Sequence, residues 1–160
     1  MSNSEQIENS FTINSEESVT ISETIIAAQN PAIDIPGSDA SLTIDPTGAI
    51  LASESGSTSI GVAGDDVNVS NQGTIAGSLN GIDIDGSNFN LDNSGLVSSD
   101  SRAVQIDNGN GSQINNSGAI LGTDNQRNGT IYANDTANNY TINNSGLIDT
   151  GEGNNGAAVS

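Results

Sequence analysis

Three aspartates near the middle of the chain have the types and spacing that cation or acid–base chemistry would use. Asp83 and Asp85 alternate with isoleucines in Gly-Ile-Asp-Ile-Asp-Gly, so both carboxylates would leave the same face of a strand. Asp107 begins a second oxygen-rich turn, Asp-Asn-Gly-Asn-Gly. Because calcium prefers oxygen ligands, the sequence predicts Asp83, Asp85 and Asp107 as candidate calcium ligands. Ordinary turn chemistry accounts for the same residues without a metal.

Paired carboxylates also serve polysaccharide hydrolases and lyases, but the chain lacks the groups that would complete such a site. It contains no His and no Cys, and its basic residues are Arg102 and Arg127. A lyase or epimerase needs a base and a group that neutralises the substrate carboxylate, usually Lys, Arg, His or Tyr. We therefore expect no enzymatic activity and no cofactor other than calcium.

The charge and composition of the chain limit its partners and its fold. The 160 residues include 20 Asp and Glu against 2 Lys and Arg, which gives a formal net charge of -18. Such a surface cannot neutralise a phosphate backbone and is repelled by anionic lipids, so we expect no nucleic-acid partner and no membrane insertion. With 32% hydrophobic and 2% aromatic residues, the chain either is disordered or folds around a thin core.

A sequence repeat favours the thin core over disorder. A turn of the form Asn-x-Gly, or Pro-x-Gly in its first copy, recurs with its glycines 25, 22, 23 and 28 residues apart. Repeats of this length are typical of solenoid folds. The glycines are Gly48, Gly73, Gly95, Gly118 and Gly146, and the asparagines are Asn71, Asn93, Asn116 and Asn144.

Aliphatic residues flank each turn at a spacing of two, which is the period of a β-strand. One strand precedes the turn, with its last apolar residue four positions before the glycine, and two more strands follow. The predicted inward residues are Ile44, Val69, Leu91, Ile114 and Ile142 on the first strand, Ile75, Ile120 and Ile148 on the second, and Ile82, Ile84, Val104 and Ile106 on the third.

Stacking is the arrangement that lets each such unit bury its apolar residues. The sequence therefore predicts an all-β fold, a parallel β-helix with three short strands per coil and about five to six coils. Stacked asparagines at the turns would form a hydrogen-bonded ladder of side chains along the axis. The neighbouring glycines, from Gly73 to Gly146, are expected to supply a left-handed backbone conformation.

Three segments carry a family resemblance. Val67–Gly77 (VNVSNQGTIAG), Gln113–Gly122 (QINNSGAILG) and Gly81–Gly86 (GIDIDG) resemble repeats of large secreted bacterial surface proteins, including autotransporter-like passengers and RTX-type adhesins. The resemblance covers residues 40–160. It implies a right-handed β-helix and a location outside the cell or at the bacterial surface.

The pattern also divides the chain. Residues 1–10 are predicted to be a disordered tail, 11–39 an N-terminal cap with a first degenerate coil, and 40–160 the β-solenoid repeats. Because the last repeat stops inside its third strand, we expect the chain to belong to a longer polypeptide.

The longest departure from the repeat covers residues 121–139. Extra residues in a solenoid emerge as loops on one face, which is often the binding face. Arg127 and Tyr132 are therefore the predicted ligand-binding residues, with a polysaccharide as the candidate partner. An ordinary insertion without a partner is the alternative.

These observations predict a rigid spacer or display stalk in a secreted surface or matrix protein. Two alternatives stay open at this point. Copies of the chain could assemble into a fibre, end to end or in a curli-like manner and with calcium as a trigger. The outward strand faces could instead bind carbohydrate.

Overall fold

The computed structural model describes residues 5–7, 10–123, 129–150 and 158–159. Within these ranges the chain forms strands β1 to β19, numbered in chain order, and no helix that is long and apolar enough to cross a membrane. The strands belong to three sheets. Sheet A contains β1 (Glu5–Ile7), β4 (Thr24–Ala27), β7 (Ala49–Ala52), β10 (Thr74–Gly77), β13 (Leu96–Ser99), β16 (Ala119–Gly122) and β19 (Leu147–Asp149).

Sheets B and C each contain six strands. Sheet B contains β2 (Phe11–Thr12), β5 (Ile33–Ile35), β8 (Ile60–Val62), β11 (Asn80–Ile84), β14 (Arg102–Ile106) and β17 (Ile131–Ala133). Sheet C contains β3 (Ser18–Ile21), β6 (Ser41–Ile44), β9 (Asn68–Asn71), β12 (Asn90–Asn93), β15 (Gln113–Asn116) and β18 (Thr141–Asn144).

Every strand pairs in parallel with the strand three positions earlier or later in the chain. In sheet A, for example, Ile75 lies between Ile50 and Val97 on the neighbouring strands. One strand of each sheet therefore makes up one coil, and successive coils stack along the axis. This confirms the predicted all-β parallel β-solenoid with three strands per coil.

The core is a set of aliphatic columns between the three sheets. Alternate residues are buried in most strands, such as β7 and β10, and Phe89 is the largest fully buried side chain of the described residues. Ile142 and Ile148 lie in the last strands of sheets C and A and pack against the core half-buried. The other predicted inward residues are all buried: Ile44, Val69, Leu91, Ile114, Ile75, Ile120, Ile82, Ile84, Val104 and Ile106.

The register of the first predicted repeat is wrong by two residues. Ile44 had been aligned with Val69, but it pairs with Asn71, and Leu42 pairs with Val69. The reason is the turn that follows β6. Four residues, 45–48, connect β6 to β7, whereas two connect β9 to β10. Asp45 to Gly48 close this longer turn with a Gly48 N–H donating to the Asp45 carbonyl at 2.8 Å, and Pro46 suits its second position.

The N-terminal segment also differs from its prediction. A disordered tail was predicted over residues 1–10, but Glu5–Ile7 forms β1 and pairs in parallel with β4. Residues 11–39 were predicted to begin with a cap, yet β2 pairs with β5 and β3 pairs with β6 in the ordinary sheet order. The edge of β4 presents unpaired backbone groups, to which any extended segment can hydrogen-bond. Residues 5–7 can therefore form a strand although their apolar pattern is weak.

Candidate functional site

The turn asparagines form a buried ladder that runs along the axis. Asn71, Asn93 and Asn116 are at most 2% exposed, and each donates its side-chain amide to the Oδ1 of the next asparagine at 2.7 Å, as far as Asn144. Each amide also donates to a backbone carbonyl of the following coil, at 3.1 to 3.2 Å. The ladder therefore joins neighbouring coils through side chains as well as through backbone.

The glycines beside the ladder serve a purpose that differs from the predicted one. In the described residues the glycines with positive φ are Gly56, Gly111 and Gly129, so Gly73, Gly95, Gly118 and Gly146 are not left-handed. A Cβ on any of these four would instead lie 2.2 Å from the carbonyl oxygen of the equivalent glycine one coil earlier. Glycine is needed there because the stacked backbones approach too closely for any side chain.

Left-handed residues occupy a different corner, between sheets B and C. One residue per coil has φ between 56° and 75°, and its N–H donates to a carbonyl of the next coil in all but the last instance. Asp, Asn and Gly tolerate this conformation best. The sequence analysis missed this column, although a Ser, Asp or Asn followed by Asp, Asn or Gly precedes the strand in five coils. The column contains Glu16, Asp39, Asp66, Asn88, Gly111 and Asn139.

A second row of amides lies on the outside of sheet C, one residue before the buried ladder. Asn115 donates to Asp92 Oδ1 at 2.8 Å, and Asn143 donates to Asn115 Oδ1 at 2.9 Å. Together with the turn serines and the ladder asparagines these residues line an open groove of about 590 Å³. The groove presents amide and hydroxyl groups at intervals of one coil, which is chemistry suited to a neutral, hydroxyl-rich ligand.

Of the predicted calcium ligands, Asp83 lies on the outward side of β11, and Asp85 and Asp107 directly follow the ends of β11 and β14. Asn80 donates to Asp83, Asn108 donates to Asp85, and Gln105 and Asn134 donate to Asp107, at 2.7 to 3.3 Å. Each of the three carboxylates therefore accepts hydrogen bonds from its own amide donors. No group of three or more Asp, Glu, His or Cys side chains is arranged around one point in the described parts of the chain.

Two oxygen atoms in this cluster lack the partners that buried acceptors normally have. Asn80 Oδ1 and Asp83 Oδ1 are buried and accept no hydrogen bond from any described residue. A proton on Asp83 or a bound cation would satisfy such acceptors. Calcium binding at Asp83, Asp85 and Asp107 therefore stays a prediction.

Asp83 is also electrostatically perturbed. Burial, followed by the negative charges of Asp107 and Asp85, raises the pKa of Asp83 to about 6, against the lowering effects of Asn80 and Arg102. Asp83 therefore begins to take up a proton only slightly below neutral pH.

Arg102 contacts the residues on the outward side of sheet B, and it was not among the predicted site residues. Asp83, Gln105 and Tyr132 are adjacent outward residues of neighbouring strands. The Arg102 guanidinium donates to Gln105 Oε1 and lies over the Tyr132 ring, 4.7 Å from its centre. This is cation–π geometry, so the predicted ligand-binding Tyr132 already has a partner on its ring. Arg127, the other predicted ligand-binding residue, lies outside the described residues.

Comparisons with models of protein families, with curated proteins and with solved structures find no significant match to this chain.

Replacing Asn116 by Ala should destabilise the fold much more than replacing its neighbour Asn115. The Asn116 change removes a link of the ladder and leaves buried donors and acceptors without partners. Each unpaired group costs about 1–3 kcal/mol of stability. We expect a loss of about 3 kcal/mol for Asn116→Ala in urea denaturation followed by circular dichroism. Asn115→Ala, on the outward face, should lose only about 0.5 kcal/mol. Equal losses for the two variants would contradict the structural role of the ladder.

Asp83 should make the fold more stable at pH 4 than at pH 7. Its folded pKa of about 6 lies above the ordinary value of 3.8, so between these values the folded state binds more protons, and stability falls as the pH rises. Allowing for solvent screening, we expect Asp83→Asn to be about 1 kcal/mol more stable than the parent at pH 7 and equally stable at pH 4.

The control for this series is Asp34→Asn, which removes one carboxylate from the same outward column two strands away. A difference between parent and Asp83→Asn that is the same at both pH values would disprove the assignment. Repeating the series at pH 7 in EDTA and in millimolar calcium tests the metal prediction. Calcium should stabilise the parent and Asp34→Asn, but not Asp83→Asn.

Proposed function

We propose that the chain is a rigid structural module that spaces or displays other parts of a longer secreted polypeptide at a bacterial cell surface. The observation that carries this proposal is the continuity of hydrogen bonding along the axis. The three parallel sheets and the left-handed corner join successive coils, and the asparagine ladder adds side-chain links between the four coils from Asn71 to Asn144. Bending the solenoid would strain several of these connections at once, so the fold suits a stalk.

The surface of the chain is consistent with an extended extracellular segment. Its formal net charge of -18 opposes nonspecific aggregation of neighbouring copies. The bacterial surface location itself rests on the repeat resemblance in residues 40–160.

The proposal is tested by locating the protein in the bacterium that encodes it. Antibodies raised against the purified chain should label intact cells, and external protease should abolish the labelling while a cytoplasmic marker protein stays intact. Labelling that requires permeabilised cells would refute the surface location.

The groove on sheet C favours a second candidate function, the binding of a neutral polysaccharide. Strands in a parallel sheet repeat at about 4.8 Å, so the groove offers equivalent amide and hydroxyl groups at that interval. Asn143 donates one described side-chain hydrogen bond, to Asn115, which leaves it a further N–H for a ligand. Anionic polysaccharides would be repelled by the net charge, so a neutral chain is the expected ligand.

A glycan array distinguishes the two candidate carbohydrate surfaces. If the groove is the site, Asn143→Ala should reduce the signal for neutral polysaccharides at least tenfold, and Tyr132→Ala should leave it unchanged. The reverse result would move binding to the face that contains Tyr132 and Arg102. Absence of any signal for the parent protein would dismiss carbohydrate binding by this chain.

A further inference from the structure

The outward face of sheet A differs from the rest of the surface. From β4 to β19 the first and third residues of each strand point outward and pair in register. Of these twelve positions eight are apolar, three carry a hydroxyl group, and one, Asp149, is charged. The larger members are Ile26, Leu51, Leu96, Leu121 and Leu147, and the last of these is 52% exposed.

The other two sheets do not share this composition. The outward side of sheet B carries Asp34 and Asp83, and that of sheet C carries Asp92 with its amide neighbours. In a chain with a net charge of -18, the outward columns of sheet A from β4 to β19 therefore contain a single carboxylate, that of Asp149 in the last strand. A shallow groove of about 520 Å³ runs over this face, and its lining includes Leu51 and Leu121 together with one carboxylate, Asp100.

A parallel sheet with apolar residues on both faces is normally covered on both. The inner face of sheet A is covered by the core, whereas the outward residues are half-buried from β4 to β16 and exposed in β19. Exposed contiguous apolar patches usually mark an interaction surface. We propose that this face, called the apolar face below, packs sheet on sheet against the same face of a second copy of the chain.

Charge argues for a second copy as the occupant. Two chains of net charge -18 repel one another, and the apolar face lets them meet through apolar residues, with Asp149 as the one carboxylate among its twelve outward positions. Geometry argues in the same direction, since both copies carry rows of side chains at the same interval of about 4.8 Å. Such rows can interdigitate across two sheets about 10 Å apart, in a two-fold symmetric interface.

The size of the face sets the strength of the association. Six strands of four residues cover about 25–30 Å by 13 Å, so two copies would bury roughly 700–800 Å² in total. Stable dimers bury about 1,200 Å² or more, and the pairing is therefore weak and transient. Neighbouring stalks held at high local concentration would associate side by side, which extends the proposed function without being required by it.

The experiment is sedimentation equilibrium of the folded chain at protein concentrations up to about 1 mM, in low salt and in 0.5 M NaCl. Salt at this concentration shortens the screening length to a few ångströms, which weakens the repulsion but not the apolar contact. We expect a monomer in low salt and a monomer–dimer equilibrium in high salt. A parent protein that stays monomeric under both conditions would overturn the proposal.

Two variants with the same change in charge identify the surface. Leu121→Lys places a cation on the apolar face, and Asn115→Lys places one at the third residue of the preceding strand, on sheet C. Both lower the net negative charge, so association governed by charge alone would strengthen in both. We expect Leu121→Lys to weaken dimerisation at least tenfold and Asn115→Lys to preserve it.

Circular dichroism verifies that the variants are folded, and Leu51→Lys repeats the test on a second strand of the same face. Dimerisation that is unchanged in both leucine variants would overturn the assignment. A parent that stays monomeric but cosediments with neutral phosphatidylcholine vesicles would assign the face to lipid instead. Failure of dimerisation leaves cell-surface labelling unaffected, so this inference and the proposed function fail separately.

Discussion

The structure depends on one constraint, the stacking of coils in parallel at the spacing of β-strands, about 4.8 Å. At that distance each strand position of a coil lies directly over the equivalent position of the next coil. The residue at each position must therefore be able to pack against a similar residue above and below it. Asparagine does so because its amide donates on one side and accepts on the other, as Asn93 does between Asn71 and Asn116. Glycine is required where carbonyl oxygens of stacked turns would lie 2.2 Å from a side chain.

The same constraint explains how so thin a core can be stable and why its charges are arranged as they are. Aliphatic columns fill the interior without large aromatic residues, and the buried polar groups of the ladder are satisfied by their own neighbours. Ionised carboxylates cannot satisfy one another in this way, because they accept hydrogen bonds but do not donate them. Asp83 has Gly61 before it and Gln105 after it in the column, yet Asp107 and Asp85 still raise its pKa to about 6.

Three sheets with different outward chemistry give one rigid body three kinds of surface. Sheet C presents amides and hydroxyls, sheet B presents the Asp83–Arg102–Tyr132 cluster, and sheet A presents apolar residues. Because the inward residues form the core that stabilises the fold, the outward residues of each sheet can differ without disturbing it. A stalk with a polar groove on one side and a self-associating face on another is the arrangement that these surfaces support.

The fold was largely determined by the sequence, because a spacing of two between aliphatic residues and a recurring Asn-x-Gly turn leave few alternatives to a stacked β-solenoid. Local patterns could not reveal the four-residue turn after Ile44, since only pairing with Asn71 shows that two residues are extra. They also misassigned the left-handed backbone to Gly73 and its equivalents, because close approach between coils depends on residues more than twenty positions apart. The contact of Arg102 with Tyr132 and the apolar outward columns of sheet A arise in the same way. Each joins residues from different coils, and it is the tertiary register that brings those residues together.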